Sequence, residues 1–169
     1  SELAFLARAL KAPRIRDVAA RLAARARDEG WDHETYLAAV LGEEVAARDS
    51  HGGAARVRAA RFPAVKTLDD FDFTVQTSVN RQLIAHLAQL DFLAEATNIV
   101  FLGPPGTGKT HLSIALAVQA ARRGHRVAFA TAHQWVNRLG AAKRAGRLDE
   151  ELERLGRIPL LVVDEVGYI

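Results

Sequence analysis

Eight residues, G-P-P-G-T-G-K-T at positions 103–110, limit what this chain can fold into more than any other stretch. They match G-x-x-x-x-G-K-[ST] in full, between an apolar run at 99–102 and a helical pattern at 109–123. Gly103, Gly106 and Gly108 let the backbone turn tightly and bring amide N–H groups close to an anion, where a Cβ would crowd it. Lys109 supplies a charge that reaches the β- and γ-phosphates of a nucleotide, and the Thr110 hydroxyl completes a Mg²⁺ shell. The helix that starts here adds its positive end. Gly103, Pro104, Pro105, Gly106, Thr107, Gly108, Lys109, Thr110 and His111 are therefore the candidate nucleotide site, with His111 read as a group packing beside the loop rather than a catalytic one.

The rhythm around the loop predicts an α/β fold. Apolar runs at 99–102, 126–131 and 160–163 alternate with helical patterns at 109–123, 133–144 and 149–155, the signature of a parallel sheet wrapped by helices. The last run is L-L-V-V-D-E at 160–165. Its four apolar residues predict a buried strand, with Asp164 at the carboxyl end, where such sheets bind ligands. Asp164 would hold Mg²⁺ through water, and Glu165 would polarise an attacking water as general base. An Asp-Glu pair points to ATP hydrolysis rather than to a small-molecule kinase. Trp135 shares helical spacing with Val136 and Leu139, which favours core packing over base stacking.

Other chemistries are excluded. Cysteine is absent, so there are no disulfides, thiolate zinc sites or cysteine nucleophiles, and the six histidines show no metal-binding spacing. No apolar stretch is long enough to span a bilayer and no secretory leader opens the sequence, so a cytoplasmic protein with no membrane partner is expected.

Charge separates the first third from the rest. Seven basic residues lie in 1–27, six acids and no base in 28–47, and five basic residues in 48–66. Nineteen of the 23 basic residues are arginine, a side chain suited to bidentate phosphate contacts. Arg14, Arg16, Arg21, Arg25, Arg56, Arg58 and Arg61 are thus candidate DNA contacts, against the plainer reading that they are solvated helix faces. Ile15, Val18, Leu22 and Ala26 repeat at helical spacing up to Gly30. Asp32 looks like the N-cap of a second helix facing inward through Tyr36, Leu37, Val40, Leu41 and Val45. A break is expected at 50–53, followed by a short helix at 54–61. The expected domains are a helical basic unit at 1–62, a connector at 63–78 carrying Phe71 and Phe73, and a nucleotide-binding domain at 79–169. That last domain opens with a helix at 79–93 whose inward face is Leu83, Ile84, Leu87 and Leu90.

The run R-x-x-A-A-R-F-P-A-V-K-T-L-D-D-F-D-F at 56–73, with N-I-V-F-L-G-P-P-G-T-G-K-T-H-L and L-L-V-V-D-E-V-G-Y-I, resembles the IstB-like ATP-binding proteins, helper ATPases of bacterial insertion sequences. The resemblance implies an AAA+ fold, ATP and Mg²⁺ as cofactors, double-stranded DNA and a transposase as partners, and homo-oligomer assembly. It also suggests that Phe71 and Phe73 lie near the adenine, although both would serve equally as anchors packing the connector on the sheet. Family members continue past the Asp-Glu strand through two more strands, a sensor Asn, an arginine finger and a helical lid. The sheet is accordingly expected to be incomplete at the C-terminus, with the 160–163 strand exposed on one edge. Two alternatives stay open: a DnaC-like helicase loader, and a truncated form that binds nucleotide without hydrolysing it.

Overall fold

The computed structural model describes residues 1–167; Tyr168 and Ile169, which end the family-like run, lie outside the described residues. The chain divides into two compact units, residues 1–52 and the residues from Gly53 onward.

The first unit contains α1 (Glu2–Ala9), α2 (Pro13–Glu29) and the first part of α3 (His33–Ala60). Pro13 opens α2, where its missing N–H has no role to fill, and Gly30 closes it in the left-handed conformation at φ +68°. Asp32 caps α3 as expected, its carboxylate accepting the Thr35 amide at 2.7 Å. Helix α1 had no counterpart in the sequence reading. Val18, Leu22 and Val40 form the core, with Ile15, Tyr36 and Ala39 packed on it.

The inward face of α3 differs from the expected one. Leu37, Leu41 and Val45 are exposed, and the buried stripe runs Tyr36, Val40, Glu44 instead. Glu44 is only 6% exposed. Its carboxylate accepts the Arg14 amide at 2.9 Å and pairs with Arg48 Nε at 2.8 Å. A charged residue takes the core position because it satisfies a free N–H in the first turn of α2, which has no side-chain cap of its own. Hydrophobic periodicity cannot anticipate that exchange.

The expected break at 50–53 is also absent, and α3 runs through it. Glycine has a packing role there. A Cβ on Gly53 would lie 3.3 Å from the backbone of Arg122, closer than such contacts normally come.

The second unit continues with α4 (Arg81–Leu87), α5 (Asp91–Ala94), α6 (Lys109–Arg122), β1 (Val127–Thr131), α7 (Ala132–Arg144), α8 (Leu148–Gly156) and β2 (Leu160–Asp164). Strands β1 and β2 pair in parallel, from Val127 opposite Leu160 to Thr131 opposite Asp164. Helix α6 is buried nearly all round, through Leu112, Ile114 and the run from Ala115 to Val118, then Ala120 and Ala121. Its small residues let Ala60, Leu90, Phe92, Val127 and Val162 close around it. The single expected helix at 79–93 is instead two short ones, because Leu90 turns left-handed at φ +72°. That turn buries Leu90 and Phe92 and leaves Leu83 exposed.

The fold is mixed helix and strand with a small parallel sheet, in line with the sequence reading, but two strand expectations need correction. Residues 99–102 form no strand, and Val100 and Leu102 are 72% and 89% exposed. A strand exists only through ladder bonds to a neighbour, and β1 and β2 bond to each other. Strand β2 is not wholly buried either. Val162 points into the core while Leu161 and Val163 point out, so among the described residues only one face is covered. No described helix is long and apolar enough to cross a membrane.

Candidate nucleotide and metal site

The phosphate loop leads directly into α6. Gly106 and Gly108 adopt φ of +78° and +83°, conformations that a side chain would strain. Gly108 occupies the N-cap position and offers no side chain, so the first N–H groups of α6 have no side-chain acceptor. Those donors, with the positive helix end, suit a phosphate.

Three polar contacts hold the loop in shape. The Thr107 hydroxyl donates to the Pro104 carbonyl at 2.9 Å. Lys109 Nζ folds back onto the carbonyls of Gly103 and Pro104, each at 2.7 Å. Its ammonium therefore sits over the loop itself, where an anion entering the loop would meet it.

Thr110 and Asp164 come together although they are 54 residues apart. The Thr110 hydroxyl lies 3.0 Å from each Asp164 carboxylate oxygen. A hydroxyl and a carboxylate are hard oxygen ligands of the kind Mg²⁺ prefers. Mg²⁺ at nucleotide sites takes few protein ligands and draws the rest from phosphate and water. Among the described residues no cluster of three or more His, Cys, Asp or Glu ligands occurs. Glu165 follows Asp164 with φ +57°, so the backbone leaves the strand by a left-handed step and the residue is exposed.

His111 is engaged elsewhere. Its Nε2 lies 2.8 Å from the Thr67 carbonyl, so Nε2 carries the proton and donates. The ring also meets Phe71 edge-on at 5.3 Å. Phe71 and Phe73 pack on each other at 4.8 Å, so the aromatic connector is anchored on the loop and α6. Trp135 is buried and donates from Nε1 to the Val162 carbonyl at 3.1 Å, a core role as expected.

Sequence reasoning missed the connector residues that touch the loop. Gln76 Nε2 donates to the Thr107 carbonyl at 3.1 Å. Asp70 accepts both the hydroxyl and the amide of Thr67, at 2.7 and 3.0 Å. Those bonds, the hydroxyl's first and then the amide's, hold the Asp70 carboxyl below its usual range. The Thr-x-x-Asp spacing of 67 and 70 was a readable signal, whereas Gln76 carried none.

The candidate DNA contacts are distributed as follows. Arg14 and Arg21 face Glu43 at 3.7 and 3.1 Å, Arg16 pairs with Asp17 at 2.7 Å, and Arg25 pairs with Glu29 at 2.7 Å. These exposed pairs are each worth little to stability. Arg56 donates to the Ala121 carbonyl at 2.7 Å and serves packing. Arg58 and Arg61, at the end of α3 and just beyond it, are both exposed.

Known proteins resemble the chain along nearly its whole length. Residues 5–169 match the family model described as IstB-like ATP binding protein. The chain is 38% identical over 168 residues to the ATP-binding protein of insertion sequence IS21 from Pseudomonas aeruginosa, covering 99% of this chain and 63% of that protein. It is 37% identical over 137 residues to the ATP-binding protein of insertion sequence IS5376 from Geobacillus stearothermophilus, covering 81% of this chain and 55% of that protein. A similar match, 37% over 126 residues, joins 75% of the chain to 50% of the ATP-binding protein of insertion sequence IS232 from Bacillus thuringiensis. The chain thus spans half to under two thirds of the length of these relatives.

Proposed function

The chain belongs to the IstB-like ATP-binding protein family, and from that premise we propose that it binds ATP with Mg²⁺, hydrolyses it, and assists a transposase by binding and remodelling duplex DNA. The observation that carries the nucleotide part is the meeting of Thr110 with Asp164 beside Lys109. Within this reading the loop amides and Lys109 would hold the phosphates, and Thr110 and, through water, Asp164 would hold Mg²⁺, which would screen the charge of the phosphate oxygens. Glu165 orients and deprotonates the attacking water. The fold is of the AAA+ kind, and the protein works as a homo-oligomer in the bacterial cytoplasm.

The DNA part rests on the exposed arginines of the first unit and on the insertion-sequence names of the relatives. Those names favour transposition over helicase loading. The test is binding of a labelled duplex by anisotropy, with and without Mg·ATP, for the wild-type chain and Lys109→Ala. Nucleotide-dependent duplex affinity in the wild type alone supports the proposal. A preference for single strands would favour a helicase loader, and affinity indifferent to nucleotide in both proteins would refute ATP-controlled DNA binding.

A further inference from the structure

The connector reaches the phosphate loop at three places. Thr67, fixed by Asp70, offers its carbonyl to His111. Phe71 fills the space beside Gly108, where a Cβ would come within 2.5 Å of the ring. Gln76 donates to the Thr107 carbonyl. The third contact bears directly on phosphate chemistry. In a trans peptide the C=O and the following N–H point in opposite directions. By holding the Thr107 carbonyl on the connector side, Gln76 turns the Gly108 N–H away from the connector. A carbonyl that accepts a hydrogen bond also polarises its peptide and strengthens the N–H as a donor. The neighbouring glycine is the residue least able to hold its own conformation, since it crosses freely between backbone basins.

We propose that Gln76 is a positioning residue for nucleotide binding, holding the 107–108 peptide so that the Gly108 amide is ready to receive a phosphate oxygen, with Phe71 and His111 keeping the connector in place. The proposal rests on the nucleotide reading above and assigns to the connector a role directed at the polyphosphate rather than at the base. Without Gln76 the peptide must be reoriented on binding, and that penalty weakens affinity.

The experiment titrates the 169-residue chain with inorganic triphosphate and with Mg·ATP, for the wild type, Gln76→Glu and Gln76→Ala. The Gly108 amide resonance is followed alongside a thermal melt without ligand. Both variants remove the donor, and they differ in charge, so a shared effect reports the lost hydrogen bond. The expected result is about 5–10-fold weaker binding of both ligands, the order of one hydrogen bond. The Gly108 amide should shift before ligand is added, with the melting temperature nearly unchanged. Variants that bind triphosphate as tightly as a binding-competent wild type overturn the positioning role and leave the nucleotide reading intact. A weakening matched by an equal loss of thermal stability also overturns it. A wild type that binds neither ligand overturns both.

Discussion

Gly108 is constrained on two sides at once. Its φ of +83° and the Phe71 ring against its missing side chain both disfavour a Cβ, and the proposed phosphate contact at its amide would add a third constraint. Gly108→Ala is therefore predicted to destabilise the fold by about 1–2 kcal/mol from the left-handed conformation alone, with the ring clash added. Urea unfolding measures it. Pairing the change with Phe71→Ala should recover the clash component and leave the backbone component. Trp135 offers a second residue-scale prediction. Trp135→Phe keeps most of the packing but strips the Val162 carbonyl of its donor, at about 1–3 kcal/mol.

At the scale of elements, Glu44 and the connector show where side chains set backbone structure. Glu44→Ala removes the acceptor for the Arg14 amide at the start of α2. A loss of about 1–2 kcal/mol, typical of a helix cap, is expected in thermal or urea melts. The connector has a pH dependence of defined sign. The Asp70 and Asp72 carboxyls lie below their usual range through bonds from Thr67 and from Thr74, the hydroxyl of each leading. Their contribution is thus fully present above the ordinary carboxylate pKa of about 4 and is lost as pH falls through the lower folded values. Amide exchange at Thr67 and Thr74 should speed up in acid relative to the α6 core, and Asp70→Asn should flatten that response at Thr67.

The elements legible in the sequence were those announced by local chemistry: the phosphate loop, the Asp32 cap, the Gly30 stop and the β1 and β2 runs. Features decided by a partner that the local pattern does not reveal were not. Residues 99–102 have strand composition but no ladder neighbour among the described residues. Leu37, Leu41 and Val45 have core composition, but the helix turns Glu44 inward to meet α2. At the site, Lys109, Thr110 and Asp164 could be named from spacing, whereas Gln76 acts through a contact 31 residues away in the chain.

At the scale of the molecule, an all-helical unit precedes one in which a single buried helix, α6, links the phosphate loop to the core. Strand β2 delivers Asp164 to Thr110 through its pairing with β1, where Thr131 lies opposite Asp164 in register. Deleting either partner of the Thr110–Asp164 pair should weaken Mg²⁺-dependent binding more than binding without metal. On the proposed function, Lys109, Thr110 and Asp164 form one Mg·ATP site. Calorimetric titration of the chain with ATP, with and without Mg²⁺, and with Lys109→Ala and Asp164→Asn as comparisons, decides whether they do. Mg²⁺-enhanced binding is expected in the wild type, loss of binding in Lys109→Ala, and loss of the Mg²⁺ enhancement in Asp164→Asn. Equal affinity for ATP in all three proteins, indifferent to Mg²⁺, would contradict that assignment.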